Sequence, residues 1–368
     1  MTSIADNQPS REPERQAQAP RTPAPQTPAQ HISAERNPSP LLPARHRESG
    51  RFAFAAQLGP VLGLLGIVFL FSILRWNTFA TVGNAQIILM QTAVVGTAAL
   101  GATIVIISGG IDLSVGSLIA LTSVAVALLL QAGWWPILAA LGGVMVGCLS
   151  GFLTGVVITE LGLMPFIVTL GTLAALRGLT EKIGNEQTVL APDTWLNTLI
   201  RMLGPHRQWM LVAPGVWITI VLAGLVALGL RYTRFGRHVF AIGSNEQTAR
   251  LCGIGVGKTK ILVYMLGGLF AGLAGVMQFS SLTVGDSTTA NGMELDVIAA
   301  VVIGGASLNG GQGSIFGTLV GALIMSTVAN GCAKMGMGNP VQKMVTGGII
   351  VLAVALDHFQ HRRLARGA

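Results

Sequence analysis

The sequence contains few charged residues, since Asp, Glu, Lys and Arg make up only 10% of its 368 positions and 51% are hydrophobic. Between Ala85 and Leu179 the only charges belong to Asp112, Glu160 and Arg177. A water-soluble domain of this length needs more charge to cover its surface. Helices in hydrocarbon do not, because each satisfies its own backbone hydrogen bonds. This scarcity argues against a soluble protein and predicts an all-α integral membrane protein.

The sequence also lacks what a metal site, a disulfide framework or a catalytic centre requires. Its three cysteines, Cys148, Cys252 and Cys332, lie far apart, which argues against a disulfide framework. None of the six histidines falls within a long apolar run, and no two have the spacing of metal ligands. Without a nucleophile–base pair or a metal cluster, enzyme activity is not expected.

One glycine-rich segment, residues 253–259, is similar to a phosphate-binding loop but incomplete. That motif needs a glycine five residues before its Gly-Lys pair, here Gly257-Lys258, and Cys252 occupies the position. We therefore predict that this chain is no ATPase and binds no cofactor. The net charge of +8 does not indicate nucleic acid, because the basic residues lie beside hydrophobic segments, where they set orientation and contact membrane lipid.

What the sequence has in abundance is glycine, with 48 residues. Gly143, Gly147, Gly151 and Gly155 recur at every fourth position and predict one smooth face on a helix. The pairs Gly268/Gly272 and Gly317/Gly321 have the same spacing. In a membrane, small residues at this spacing let helix backbones approach closely, so these faces predict tight helix packing.

The first fifty residues differ from the rest. Residues 1–50 hold nine of the sixteen prolines and no apolar period, which predicts a disordered tail. No apolar stretch of a signal peptide appears in the first 30 or so residues. We expect this tail to be cytoplasmic, followed by a transmembrane domain over 52–360 and a short cytoplasmic tail over 361–368.

Ten apolar runs follow the tail and predict about ten transmembrane helices. The predicted spans are 53–74, 85–108, 115–133, 136–159, 164–180, 211–230, 261–283, 295–308, 314–331 and 341–357. The runs 164–180 and 295–308 are short for a full crossing, so broken or re-entrant helices are expected there.

The distribution of basic residues predicts the orientation of these spans. Loop 231–260 carries six Lys and Arg against Glu246 alone and is therefore expected in the cytoplasm, whereas loop 181–210 has balanced charges. Both termini then lie in the cytoplasm, with six spans before the basic loop and four after it. Lys334 and Lys343, near a predicted outside loop, are the exception. Spans two to five and seven to ten start on opposite sides, as inverted repeats do.

Polar residues at two breaks between apolar runs are candidates for a solute path. Asp112 and Ser114 lie in the glycine-flanked segment 109–116, and a carboxylate at such depth indicates function by default. The alternative is that Asp112 caps the following helix. Asn291 and Glu294, with Asp296 close behind, open the run 297–303 and could line a solute entrance or complement a helix dipole.

Two further features complete the candidates. Thr169, in the fifth run, is the remaining residue expected on the path. In the basic loop, Ser244 precedes a run compatible with a short helix, and Gly253 supplies its stop signal. Such a helix would present Phe240 and Leu251 to a partner protein. Alternatively, the arginines of the loop contact lipid head groups.

Three segments resemble one family. GGIDLSVGS at 109–117, TRFGRHVFAIGSNEQTARLCGI at 233–254 and ELDVIAAVVIGGASLNGGQGS at 294–314 are similar to the permease subunits of bacterial monosaccharide importers of the ATP-binding-cassette type. The ribose, xylose and arabinose permeases are examples. The resemblance spans roughly residues 52–360, and the N-terminal tail lies outside it.

The resemblance implies a permease homodimer in the bacterial cytoplasmic membrane, with three kinds of partner. A separate cassette subunit would bind ATP and Mg, and an extracellular or periplasmic binding protein would deliver the sugar. The segment 233–254 would dock on the ATPase: Glu246, Ala249 and Gly253 match the core of the docking motif and Arg237 flanks it. Cys252 departs from the family, which usually has a polar or small residue there.

The expected mechanism is alternating access, biased by nucleotide binding on the partner. Two alternatives remain open. A secondary transporter needs intramembrane ion ligands, and Asp112 has no evident partner within a span. Permeases for branched-chain amino acids have a related build, and no single side chain distinguishes that cargo from a sugar.

Overall fold

The computed structural model describes residues 49–366 apart from 203 and 205–208, with side chains described over 59–352. This part of the chain is mainly α-helical. Its helices are α1 Ser49–Leu74, α2 Trp76–Phe79, α3 Val82–Ile107, α4 Val115–Gln131, α5 Pro136–Glu160, α6 Pro165–Ile183, α7 Pro214–Tyr232, α8 Arg234–Ser244, α9 Glu246–Leu251, α10 Val256–Leu282, α11 Met293–Ile303, α12 Ile315–Lys334 and α13 Asn339–Arg366. Two short strands, β1 Val189–Leu190 and β2 Val284–Gly285, pair antiparallel.

Both predicted tails overlap a helix. The predicted N-terminal tail lies outside the described residues except for positions 49 and 50, which begin α1. The predicted C-terminal tail, 361–368, is continuous with α13 as far as Arg366.

Each of the ten predicted spans coincides with a helix. Five of the described helices, α3, α5, α7, α10 and α12, are long and apolar enough to cross a membrane on their own. The all-α membrane fold predicted from composition is therefore confirmed. α4 and the described apolar part of α1 are shorter.

The two runs predicted to be short have different outcomes. α11 has 11 residues, or about 17 Å of rise, which is roughly half of a hydrocarbon core. By contrast α6 has 19 residues, enough for about 28 Å. The run 164–180 ends three residues too early, because α6 continues through the charged residues Glu181 and Lys182 to Ile183.

Local sequence explains where several helices begin. α5, α6 and α7 each start with proline, whose fixed φ suits the first helical turn and whose missing N–H is not needed there. α3 and α12 are capped by Thr81 and Ser314, whose side chains accept the N–H groups of Asn84 and Gly317.

Contacts between loops define two ends of the bundle. At one end, here called the strand end, β1 pairs with β2 and the Gln86 side chain donates to the Leu211 carbonyl at 2.9 Å. At the other, the α8 end, the N–H of Gly311 donates to the carbonyl of Ile107 at 2.8 Å. α3 begins at the strand end and finishes at the α8 end, and α10 runs the opposite way. This alternation agrees with the predicted order of crossings.

The helices pack in a reciprocal pattern. α3 packs on α11 and α12, and α10 packs on α4 and α5. α3 and α10 also pack on each other, and α4–α5 and α11–α12 are neighbouring pairs. Spans two to five are α3 to α6, and spans seven to ten are α10 to α13. If the two sets are exchanged in order, the α3–α10 contact maps onto itself and each of the other contacts maps onto another of them. The packing therefore has the symmetry that the predicted inverted repeats require.

The predicted glycine faces lie at the closest helix contacts. A Cβ added to Gly147 would be 2.5 Å from the Gly268 carbonyl oxygen and 2.8 Å from the Cα of Gly272, so α5 and α10 touch through their backbones. Gly317 and Gly321 of α12 lie in the same way against α11. The opposite face of α5 exposes leucines and other large apolar side chains, as expected of a helix surrounded by hydrocarbon.

Candidate functional site

The break between α3 and α4 is built around Asp112. Residues 108–114 leave the helical path, and Gly109 adopts φ +81°, which only glycine adopts readily. The Asp112 side chain is 5% exposed, and its Oδ1 accepts the N–H of Ser114 at 2.8 Å and the Ser114 hydroxyl at 2.6 Å. Asp112 therefore stabilises a turn just before α4 and is not its N-cap, because the N-cap residue is Ser114, which makes no side-chain capping bond.

Residues from two other helices meet this break. The Thr169 hydroxyl of α6 donates to the Ile111 carbonyl at 3.3 Å. From α10, the hydroxyl of Tyr264 lies against Gly110, where a Cβ would collide with it. The Tyr264 side chain is 1% exposed. Sequence reasoning missed it, although a tyrosine inside an apolar run, and one of only two in the chain, was an available signal.

Glu294 reaches the same region from α11. Its carboxylate lies against Gly116 in the first turn of α4, a position where the helix dipole favours negative charge. Its Oε2 is buried and has no hydrogen-bond partner among the described residues. Asn291, by contrast, is exposed. The structure thus brings Asp112, Ser114, Thr169 and Glu294 together around the break and leaves Asn291 at the surface.

A separate cavity of about 380 Å³ lies between α3, α10, α11 and α12, towards the strand end. Methionine and branched aliphatic side chains make up most of its wall. Its polar lining residues are Gln91, Gln278, Ser281, Asp296 and Ser326. None of the five predicted path residues lines this cavity. Asp296 follows Glu294 by two positions, and on a helix that spacing turns the two carboxylates to different sides.

The predicted cytoplasmic segment 231–260 is largely helical. α8 and α9 meet at Asn245, whose Oδ1 accepts the N–H of Thr248 at 2.9 Å and so caps α9. Gly253 ends this unit at φ +80°. The short helix and its stop signal, both predicted from the sequence, are confirmed.

Glu246 connects α9 to α10. Its carboxylate accepts Lys260 Nζ at 2.6 Å and Arg250 at 3.2 Å. The hydrogen bond from Lys260, assisted by the charges of both cations, holds the pKa of the Glu246 carboxyl below its usual range. Glu246 thereby fixes the angle between α9 and the first turn of α10.

The predicted docking residues occupy different environments. Arg237 is exposed, and so is Gly253. Ala249 is only 3% exposed and packs against Ile242 and Val256, so it shapes α9 from beneath instead of presenting a surface. Leu251, at the end of α9, is a large apolar side chain that is 88% exposed.

Three chain segments cross at glycines where α8 meets the bundle. A Cβ on Gly243, near the end of α8, would collide with the Ile107 carbonyl and lie 2.5 Å from the N of Gly311. A Cβ on Gly310 would lie 2.8 Å from the Gly243 oxygen and 2.9 Å from the Cα of Gly109. The segment 231–260 therefore touches both the break after α3 and the loop between α11 and α12 through backbone atoms.

Comparison with known proteins gives this arrangement a family. The family model described as "Branched-chain amino acid transport system / permease component" matches residues 84–354. The chain belongs to this permease family. The match includes the break, the cavity and the docking segment, and it begins within α3.

Several relatives of this permease are sugar permeases. The ribose import permease protein of Bacillus subtilis (strain 168) is 41% identical over 302 residues, covering 82% of this chain and 92% of the relative. The ribose import permease protein of Escherichia coli (strain K12) is 39% identical, covering 81% and 92%. The L-arabinose permease protein of Azospirillum brasilense is 36% identical, covering 79% and 84%. No solved structure gives a significant match.

Proposed function

We propose that this permease forms the transmembrane path of an importer for a monosaccharide, driven by a separate ATP-binding-cassette subunit. The observation that carries the cargo is the naming of its relatives, which are ribose, arabinose and allose permeases at about 35–41% identity over some four fifths of this chain. The family description names branched-chain amino acids, but the relatives favour sugars. Because relatives of this chain are permease proteins, we expect ATP and Mg to bind on a separate partner subunit.

The proposed arrangement is a homodimer in the bacterial cytoplasmic membrane, with both termini inside and a sugar-binding protein outside. The basic segment 231–260 supports this orientation through the positive-inside rule. Its exposed Leu251 and Arg237, held by the cap at Asn245 and the ion pairs of Glu246, form a preorganised apolar and basic projection for the ATPase subunit.

The candidate path residues are proposed to act as a gate. Asp112, Ser114, Thr169 and Glu294 surround the one place where α3 and α4 leave the helical path, and glycines there permit a change of backbone angle. Alternating access needs such an element with two arrangements, and nucleotide binding on the partner must favour one of them. Asn291, exposed in the loop before α11, would meet the solute or its binding protein at the entrance.

Cargo is tested by uptake in the source bacterium. Deleting the gene should abolish uptake of one labelled monosaccharide, the wild-type gene should restore it, and leucine uptake should be unchanged. Loss of leucine uptake with every monosaccharide still imported would overturn the proposal. Uptake that persists when ATP is depleted but the ion gradient is kept would favour a secondary transporter instead.

The docking role is tested by co-purification of the ATPase subunit with the tagged permease. Leu251→Asp should reduce the amount recovered at least severalfold, because a carboxylate replaces the exposed apolar tip. Leu190→Asp is a matched control, since Leu190 is 70% exposed but lies at the strand end. Equal recovery with both variants would contradict the assignment.

A further inference from the structure

We propose that the cavity between α3, α10, α11 and α12 is an intramembrane binding site for a neutral polyhydroxylated solute, with Asp296 as its principal hydrogen-bond acceptor. This inference rests on the proposed function and specifies where the solute is held within one protomer. It moves the solute site away from the residues predicted from the sequence, which surround the break and do not line this cavity.

The size and position of the cavity suit a small solute. Its volume of about 380 Å³ lies near the lower limit of small-molecule pockets, which range over roughly 300–1,000 Å³. Ile200, one of its lining residues, donates its N–H to Ser280 at the end of α10, so the cavity belongs to the strand end of the bundle. That end is the predicted outer side, where a binding protein would deliver the solute.

The polar groups of the cavity favour hydroxyls. The Ser326 side chain is 4% exposed, and its Oγ has no hydrogen-bond partner among the described residues. A buried hydroxyl without a partner is costly unless a ligand or water completes it. Gln278 donates its amide to Thr289 at 2.8 Å, which fixes its orientation beside the cavity. Together with Asp296 these groups supply both donors and acceptors, as a solute with several hydroxyls requires.

The charge of the cavity excludes two other classes of solute. Asp296 is its only charged residue among the described lining residues, which include no Lys, Arg or His. Lys343 acts electrostatically on Asp296 but does not line the cavity. A sugar phosphate or sugar acid would meet the Asp296 carboxylate with no cation among the described lining residues to balance it, and the carboxylate of an amino acid would find no cation in that wall either. A neutral solute meets neither penalty.

The apolar wall fits the remaining surface of a sugar ring. Met90, Met293 and Met325 line the cavity, and their flexible thioether side chains adapt to irregular shapes. The C–H faces of a pyranose or furanose can pack on them while the hydroxyls face Asp296 and Ser326. The site combines an adaptable apolar wall with a few fixed polar groups, as expected of a small-molecule pocket.

The test measures protection of a cysteine at the cavity rim. Ser281 is an exposed lining residue, so Ser281→Cys in a Cys252→Ser background provides a reactive thiol on the full-length permease in native membranes with its partners. Ribose, arabinose or allose at millimolar concentration should slow maleimide labelling at least severalfold. Leucine and gluconate should not.

Further variants separate a binding role from a structural one. Asp296→Asn should raise the sugar concentration for half-protection about 10- to 100-fold, and Ser326→Ala about 3- to 10-fold. Glu181→Gln, an exposed carboxylate at the end of α6, should leave it unchanged. Labelling of Cys332, which is buried, reports whether any variant has unfolded. If Asp296→Asn unfolds, Ser326→Ala alone decides.

Two outcomes distinguish this inference from the proposed function. If monosaccharide uptake is intact but no monosaccharide slows labelling, the cavity is not the binding site and the transport function stands. If protection is seen but Asp296→Asn and Ser326→Ala leave it unchanged, the solute binds elsewhere near the rim and the inference also fails. Loss of both uptake and protection for every sugar would overturn the proposed function itself.

Discussion

Glycine-to-alanine substitutions at the contact between α5 and α10 and at an open site on α7 should have different effects on the free energy of unfolding. In Gly151→Ala, the new Cβ would lie 2.9 Å from the Gly268 Cα, 3.0 Å from the Gly268 N and still closer to the Tyr264 carbonyl oxygen. Carbon atoms pack best at about 3.5–4.0 Å, so the two helices must separate by roughly 0.5 Å or more. In Gly224→Ala, the Cβ on α7 meets nothing within 4 Å.

The magnitude follows from two competing effects. Overpacking costs typically about 1–3 kcal/mol, whereas replacing glycine by alanine within a helix gains roughly 0.5–1 kcal/mol. Gly151→Ala should therefore lower the free energy of unfolding by about 1 kcal/mol, within a range of roughly 0–2.5 kcal/mol, and Gly224→Ala should leave it unchanged or raise it. We expect the apparent Tm of Gly151→Ala to fall by roughly 2–6 °C.

The assay is thermal unfolding of the detergent-solubilised permease, followed by a fluorophore that reacts with newly exposed thiols. Cys332 is 3% exposed and reports unfolding, while the exposed Cys252 is first replaced by serine to remove its background. Equal shifts for Gly151→Ala and Gly224→Ala would refute the argument, because they would mean that the α5–α10 contact tolerates a methyl group as well as a lipid-facing site does.

Three smaller predictions concern the loops. Asn245→Ala removes the cap of α9 and should destabilise this helix by about 0.5–2 kcal/mol, seen as faster amide hydrogen exchange in α9 with α8 unchanged. Lys260→Met should raise the pKa of Glu246 towards 4.5, its value without partners, measured by NMR of labelled glutamate with Glu246→Gln to assign the signal. Because that pKa is lowered in the folded protein, the stabilisation by the ion pair is complete above pH 4.5 and is lost as pH falls through the lowered pKa. If Lys260→Met left the pKa of Glu246 unchanged, the assignment of the ion pair would be wrong. Arg177→Met removes hydrogen bonds to two carbonyls of the loop 286–292, so exchange in that loop should accelerate while β1 is unaffected.

Much of the fold follows from the sequence because hydrocarbon imposes one strong requirement. Every span must satisfy its own backbone, so each apolar run had to become a helix, and all ten did. The boundaries were less accurate where a helix leaves the apolar region. α10 begins at Val256 and not at 261, because its first turn is the polar sequence that holds Lys260 against Glu246.

The candidate site was only partly predictable. The break at Asp112 was visible because a carboxylate and glycines interrupt an apolar stretch. The cavity was not, because its wall combines residues from four helices whose pairing depends on glycine contacts distant in sequence. Glu294 was preferred to Asp296 although the two lie on different sides of α11, and only the packing of α11 against α4 shows which side faces the cavity. The burial of Ala249 likewise depends on Ile242 and Val256 folding beneath it.

The glycine crossing at Gly109, Gly243 and Gly310 has a mechanical consequence. Side chains that separate two moving parts can absorb displacement by changing rotamer, but no side chain lies between these three backbones. A tilt of α8 would therefore act on the last carbonyl of α3 through direct backbone contact. The break that follows this carbonyl includes the turn held by Asp112 and Ser114, so a displacement of α8 would reach the residues proposed as the gate without passing through an intervening side chain.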